Sequence, residues 1–206
     1  MGDFKINEKT VFTQSGSAEP AMGSTITGIP AAGVTGVLPV GVTGGSGLDA
    51  SNIGTTHASV WQLVSSFTGS ATPLTTFERI DGDGNGYIGS DMAESSGIWT
   101  FPTTGIWHIN FKHVANSNSG GAGYCITQIM ATIDNSTYPE QGSYSVSYFS
   151  GASQYTSYNT NWIFDVTSTS LCKVKFVISQ SNSSNKTSGT TTEFHSGATF
   201  IRLGDT

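Results

Sequence analysis

Between Ser95 and Val114 the chain reads SSGIWTFPTTGIWHINFKHV, and its bulky residues alternate with smaller or polar ones. Gly97 to Phe101 is a short alternating run, Pro102-Thr103-Thr104-Gly105 interrupts it, and Ile106 to Val114 resumes it. Trp107, Ile109 and Phe111 share one parity, while His108, Asn110 and Lys112 share the other. A period of two with one polar face predicts a half-buried strand. Pro fixes φ and Gly frees it, so the four-residue break predicts a turn or a corner between strands. The aromatic face of this hairpin is large enough to seed a β-sandwich core.

The same alternation recurs on both sides. Val60 to Val64 and Thr75 to Ile80 predict strands before the central stretch. Tyr124 to Ile133, Tyr144 to Phe149, Trp162 to Val166, Leu171 to Ile178 and Ala198 to Leu203 predict strands after it. In Leu171–Ile178, Cys172, Val174, Phe176 and Ile178 oppose Lys173 and Lys175. Polar loops are expected at 116–123, over the Tyr/Ser stretch before Trp162, and at 180–192. Short strands at regular spacing with turn residues between them predict a sandwich or jelly roll. Its core, or a contact with other copies, is expected to use Trp99, Phe101, Trp107, Ile109, Phe111, Phe200 and Leu203.

The first 56 residues follow another rule. Phe4, Ile6, Val11 and Phe12 stand among polar residues and suffice for one added strand or a groove-bound arm, but not for a core. From Ala21 to Gly47 there is no charged residue, and Ile26-Thr27-Gly28, Val34-Thr35-Gly36 and Val42-Thr43-Gly44 recur every eight residues. A β-branched pair followed by a Gly/Pro turn cannot bury its apolar group alone, so neighbouring copies must cover it. A shaft of three wound chains does that; a flexible linker would not need so many Val, Ile and Leu residues. The expected organisation is an anchoring arm over 1–25, a repeat shaft or linker over 26–56, and one β domain over 57–206. In this organisation Phe4, Val11, Phe12, Ile26, Val34 and Val42 serve as anchor and shaft residues.

Composition narrows the function. Of 206 residues only 11% are charged, 26 are Gly, and roughly a quarter are Ser or Thr. Such usage disfavours helices. The net charge of -6 and the lack of any Lys/Arg cluster argue against nucleic-acid binding. No apolar run reaches the ~20 residues of a membrane span, and MGDFKINEKTVFTQ does not read as a secretory signal. Synthesis in the cytoplasm is therefore expected, with Cys125 and Cys172 as buried free thiols.

Few motifs point to chemistry. Asp81-Gly82-Asp83-Gly84-Asn85-Gly86 matches the front of a calcium-binding EF-hand loop, with Asp81, Asp83 and Asn85 as ligands. The closing Glu is missing: Met92 stands there, with Asp91 one place early and Glu94 two late. A Gly/Asn/Asp tip joining two strands explains the same residues without an ion, so no cofactor is expected. His108 and His113 lie an odd number apart on one strand and must face opposite ways. Asp81, Asp83, Asp91 and Glu94 cluster on one loop instead of facing across a cleft, and no nucleophile motif appears, so no catalysis is expected. Tyr144, Tyr148, Tyr155 and Tyr158, set among Ser and Asn, have the composition of an adaptable recognition surface that includes saccharide platforms. The competing expectation places half of these rings in a core or a subunit contact. The sequons at Asn135, Asn182 and Asn185 matter only in a secretory pathway.

The run Gly97 to Trp107, GIWTFPTTGIW, resembles the G-x-F-x-x-P-x-x-G-x-Y core of complement globular-head/TNF-like jelly rolls. Ser196 to Leu203 is similar to that family's last strand, although the penultimate Gly is absent and Thr169-Ser170 replaces a Gly-Asp pair. Similar heads, with a Gly/Thr/Val-rich segment before them and a terminal R-L-G-D like that at Arg202–Asp205, occur in structural proteins of tailed bacteriophages. The resemblance implies an all-β antiparallel jelly-roll sandwich with an extended N-terminal arm, assembled as a homotrimer. It implies a virion location, made in the host cytoplasm, with capsid or tail proteins as partners in a decoration, head-fibre or tail-fibre role. Two alternatives stay open: a tail-fibre head that binds a host-cell surface glycan, and a non-viral lectin-like module.

Overall fold

The computed structural model describes residues 54–206 except 81, 83, 120, 140 and 141, and before residue 54 only the backbone of three short strands. The chain divides into two units, Met1–Gly47 and Leu48–Thr206. In the first, Phe4–Ile6 (β1), Lys9–Thr13 (β2) and Ala21–Met22 (β3) pair antiparallel in the order β1-β2-β3, with Phe4 opposite Phe12. The stretch expected to add one strand thus forms strands that pair with one another. Ile26, Val34 and Val42 lie outside the described residues.

The second unit is an antiparallel β-sandwich. Its strands are Ala58–Leu63 (β4), Phe67–Thr68 (β5), Phe77–Arg79 (β6), Ala93–Ser95 (β7), Ile98–Thr100 (β8) and Gly105–Asn116 (β9). Then follow Gly123–Thr132 (β10), Ser143–Phe149 (β11), Tyr155–Val166 (β12), Lys173–Gln180 (β13), Lys186–Thr187 (β14) and Gly197–Gly204 (β15). One sheet runs β11-β10-β13-β8-β7; the other runs β5-β14-β9-β15-β4-β6, with β12 paired to β9 along its whole length. The alternation read from Trp107 to Phe111 sets the layer: these rings are buried, as are Trp99, Phe101, Ile109 and Phe200. Opposite them on β13, Val174, Phe176 and Ile178 are buried, and Cys172, just before it, is buried too.

Trp99 is the hub. It projects from β8 in one sheet and meets Trp61, Phe77 and Phe200 of the other at centroid distances of 5.1, 5.1 and 5.0 Å, with Phe176 of its own sheet at 6.1 Å. Each fully buried apolar side chain contributes about 1.5–3 kcal/mol, and edge-on ring contacts add to that.

Pairing decides between the turn and the corner expected at Pro102–Gly105 and corrects two other expectations. The break is a corner: β8 and β9 belong to different sheets, and it carries the chain across the sandwich. Gly105 has φ +132°, and a Cβ there would collide with the Gly204 carbonyl and the Arg202 side chain, so the corner requires Gly. The Tyr/Ser stretch before Trp162 is strand, not loop, because β12 matches β9 residue for residue from Tyr155 to Val166. Segment 80–88 is not a hairpin tip. The N–H groups of Ile80 and Ile88 donate to Val60 and Ala58 on the same edge of β4, so the Gly-rich loop is an excursion within one strand line.

Replacing Trp99 by Ala removes the hub and leaves a cavity between the sheets. We expect a loss of about 3–5 kcal/mol in unfolding free energy, measured by urea denaturation.

Candidate functional site

The sandwich interior changes character along its length. Around Trp99 it is aromatic; toward the end of β9 it holds a polar knot. His113 is fully buried, with Nδ1 2.9 Å from the Tyr158 hydroxyl and 2.8 Å from Thr127 Oγ1. Its Nε2 lies 3.0 Å from Thr187 Oγ1, which also accepts from Gln180 Nε2 at 3.1 Å. Tyr158 donates its hydroxyl hydrogen to the Cys125 carbonyl (3.1 Å), leaving its oxygen free to accept from His113. The network is therefore satisfied by a neutral imidazole with its proton on Nδ1.

Burial holds His113 down to about 3 and raises the Cys125 thiol. Burial first, then the hydrogen bond to Cys125, raises the Tyr158 phenol. His113, Thr127, Tyr158, Gln180 and Thr187 tie β9, β10, β12, β13 and β14 together. Tyr158, expected on a recognition surface, thus points inward, because it shares the parity of buried Thr160 and Phe164. Cys125 and Cys172 are both free and buried.

Other expected positions sort as follows. Asp81 and Asp83 lie outside the described residues. Asn85 donates its backbone N–H to the Gly82 carbonyl at 3.0 Å. Met92 belongs to the core, and Asp91 pairs with Arg79 at 3.2 Å, so neither back-half position offers a free carboxylate. Among the described residues no group of three His, Cys, Asp or Glu is placed to hold a metal ion. Leu203, expected in the packing set, is exposed: it takes the outward parity of β15, opposite Phe200. His108 and His113 do face opposite sides.

A groove of about 470 Å³ lies between the loop after β10 and β12, lined by Ile133, Pro139, Trp162 and Phe164. Asp134 beside it is saturated with donors. Hydrogen bonds from Thr132 and Thr137, together with the N–H groups of Thr137 and Ser136, hold its carboxyl well below the usual range.

Two outer faces stand out. On the five-stranded sheet, outward rows pair Tyr124 with Tyr148, Ile126 with Val146, and Gln128 with Tyr144. Tyr148 and Tyr144 are 74% and 66% exposed, and the Tyr124 and Tyr148 rings meet at 6.3 Å. Tyr124 and Val146 were missed in the sequence; the parity of Cys125 and Ile129 was the signal that would have placed Tyr124 outward. Tyr155 is exposed as well, but on the far end of β12 in the other sheet.

The second face, on the other sheet, carries one row of Ala58, Ile201, His108 and Ile163 across β4, β15, β9 and β12. The next row holds Val60, Thr199, Asn110 and Asn161. Lys112, one row further, spends its ammonium on the Phe194 carbonyl at 2.9 Å.

No family model matches the chain, and no curated protein matches it in sequence. Among solved structures, murine APRIL at pH 5.0 superposes with a TM-score of 0.50 and 11% identity, over 71% of this chain and 99% of APRIL. The fold is a TNF-like jelly roll. Eiger TNF from S. frugiperda gives a TM-score of 0.49 at 9% identity, over 72% of this chain and 93% of its own. The vertex protein P5 of PRD1 gives 0.40 at 14%, over 73% and 99%.

The jelly roll's buried histidine has a pH signature. The unfolded chain protonates near 6.5, the folded one only near 3, so unfolding takes up a proton in that window. His113 therefore contributes a loss of stability as pH falls from 6.5 toward 3, at up to about 1.4 kcal/mol per pH unit. A His113→Gln variant should be less stable at pH 7.5 yet show a shallower acid slope, as read by urea melts at pH 7.5, 6 and 4.5.

Proposed function

We propose that this chain is a structural protein of a tailed-phage virion, a homotrimer with an outward jelly-roll head and an N-terminal arm that attaches it to capsid or tail. One observation carries the assembly: two rows of the second face cross four strands with no carboxylate, and with His108 as the one ionisable group. A sheet face that meets water is normally polar and charged, whereas charges are depleted at the centre of subunit contacts. Ile163, about half exposed, together with Ile201, supplies the apolar part, and Asn110 and Asn161 supply the uncharged polar part. Three copies packed around an axis cover this face on every subunit, which closed symmetry requires. The virion assignment rests on the sequence resemblance: the uncharged Gly/Thr/Val repeat ahead of the head and the terminal Arg202-Leu203-Gly204-Asp205. No catalytic step is assigned to it.

Light scattering should return three times the 21.5 kDa subunit mass. Ile163→Asp and Ile201→Asp each insert a carboxylate into the contact and should shift the mass toward one subunit, while Tyr148→Ala leaves it unchanged. A wild-type chain that stays at one subunit mass at micromolar concentration overturns the assembly. Removal of residues 1–56 should give a soluble head that no longer attaches to particles; retained attachment overturns the anchoring role of the arm.

A further inference from the structure

The outer face of β10 and β11 is the other unexplained surface, and it differs in kind from the face assigned to assembly. Its three rows hold Tyr124, Tyr148, Ile126, Val146, Gln128 and Tyr144. Tyr144 and Tyr148 stand two pleats apart on β11, about 14 Å, with low-relief Val146 between them. Tyr124 backs Tyr148 edge-on, which fixes that ring without covering it.

We infer that this face binds a neutral oligosaccharide laid along β11. A pyranose has an apolar C–H face and a rim of hydroxyl groups. The Tyr148 and Tyr144 rings offer flat apolar surfaces, with phenol hydroxyls and the Gln128 amide at their margins to pair with the rim. Tyrosine presents that combination at low entropic cost, with only two side-chain torsions to fix.

Charge selects the ligand class. No cation or anion lies in the three rows. The next row brings Lys175, but its ammonium sits over the Tyr138 ring at 4.1 Å. With a net charge of -6 on the chain as well, an anionic sugar finds no partner here and a neutral one is not opposed. A patch of exposed rings this continuous is also uncommon on a surface without a partner. The inference goes beyond the assembly reading and does not depend on it, since every group involved belongs to one subunit.

The test uses the full chain on an array that carries neutral glucans, galactans, mannans and N-acetylhexosamine chains beside sialylated and sulfated ones. Calorimetry with the best neutral ligand follows. Binding of neutral chains is expected, weakened about tenfold by Tyr148→Ala and by Tyr144→Ala. Tyr148→Trp, which keeps a ring, should retain it, and Tyr155→Ala on the other sheet should leave it unchanged. All three positions are exposed, and thermal melts check that each of the four variants folds.

Several results overturn the inference: no neutral glycan bound, acidic glycans bound instead, or equal losses with Tyr155→Ala. So does a mass above three subunits that Tyr148→Ala abolishes, because the face would then be taken by another copy. Masses are read on the same samples. A lone subunit that still binds sugar sinks the assembly alone, and a trimer that binds none sinks the sugar site alone.

Discussion

The contact of Trp99 with rings from the opposite sheet is the constraint on which the rest depends. β8 is three residues long and pairs over three positions with β13 on one side and three with the equally short edge strand β7 on the other, a small ladder. Its place is fixed because one indole reaches Trp61, Phe77 and Phe200 across the layer. Once that contact is made, the chain must cross between sheets within Pro102–Gly105. The crossing delivers β9 to the centre of the second sheet with Trp107, Ile109 and Phe111 facing in. The register of β9 then sets β12 on one side and β15 on the other, and with them both rows of the second outer face.

The opposite end of the sandwich is held by other means. Ala115, Cys125 and Phe149 form a small apolar group with Tyr158 packed against it, and His113, Thr127 and Thr187 complete the filling with hydrogen-bonded polar groups. A polar knot is costly if any member lacks a partner and specific when all are paired. It therefore contributes less to the strength of the core than the rings do, and more to the choice of which strands meet. From β9, His113 and its network join β10, β12, β13 and β14 at the end of the sandwich away from Trp99.

Much of this was legible in the chain. Alternation located the long strands to within about two residues at most ends, and the inward set from Trp99 to Phe200 followed from parity. The misreadings share a cause: parity within a segment says nothing about its partner. Tyr155 to Asn161 alternates Tyr, Ser, Asn and Thr with no apolar contrast, so only pairing with β9 reveals it as strand. Tyr158 and Tyr155 are chemically alike, and an odd step between them sends one ring inward and leaves the other outside. Leu203, read as core or as a contact between copies, falls on the outward parity of β15, so it is not core. The Gly-rich loop carried a ligand-like pattern, yet Met92 and Asp91 are already engaged by the core and by Arg79. Of the first outer face, Tyr144 and Tyr148 were read but not their pairing with Gln128 and Tyr124. The second was not visible, since β4, β9, β12 and β15 lie far apart in the chain.

The seam where the sheets meet along β11 and β12 has a mechanical consequence. Up to the buried Phe149 at its end, the inward positions of β11 are Ser143, Ser145 and Ser147. The fastening to β12 along them is made by side chains: Ser145 to the Asn159 carbonyl at 3.0 Å and Ser147 to Thr156 at 2.6 Å. Hydroxyl bonds of this kind each add only about 1 kcal/mol and impose no register, unlike a backbone ladder. The sandwich is thus stiff along β8, β9 and β13 and compliant along one wall. A pull on β11 would part that wall like a zip fastened by buttons, while the ring-filled half keeps its shape.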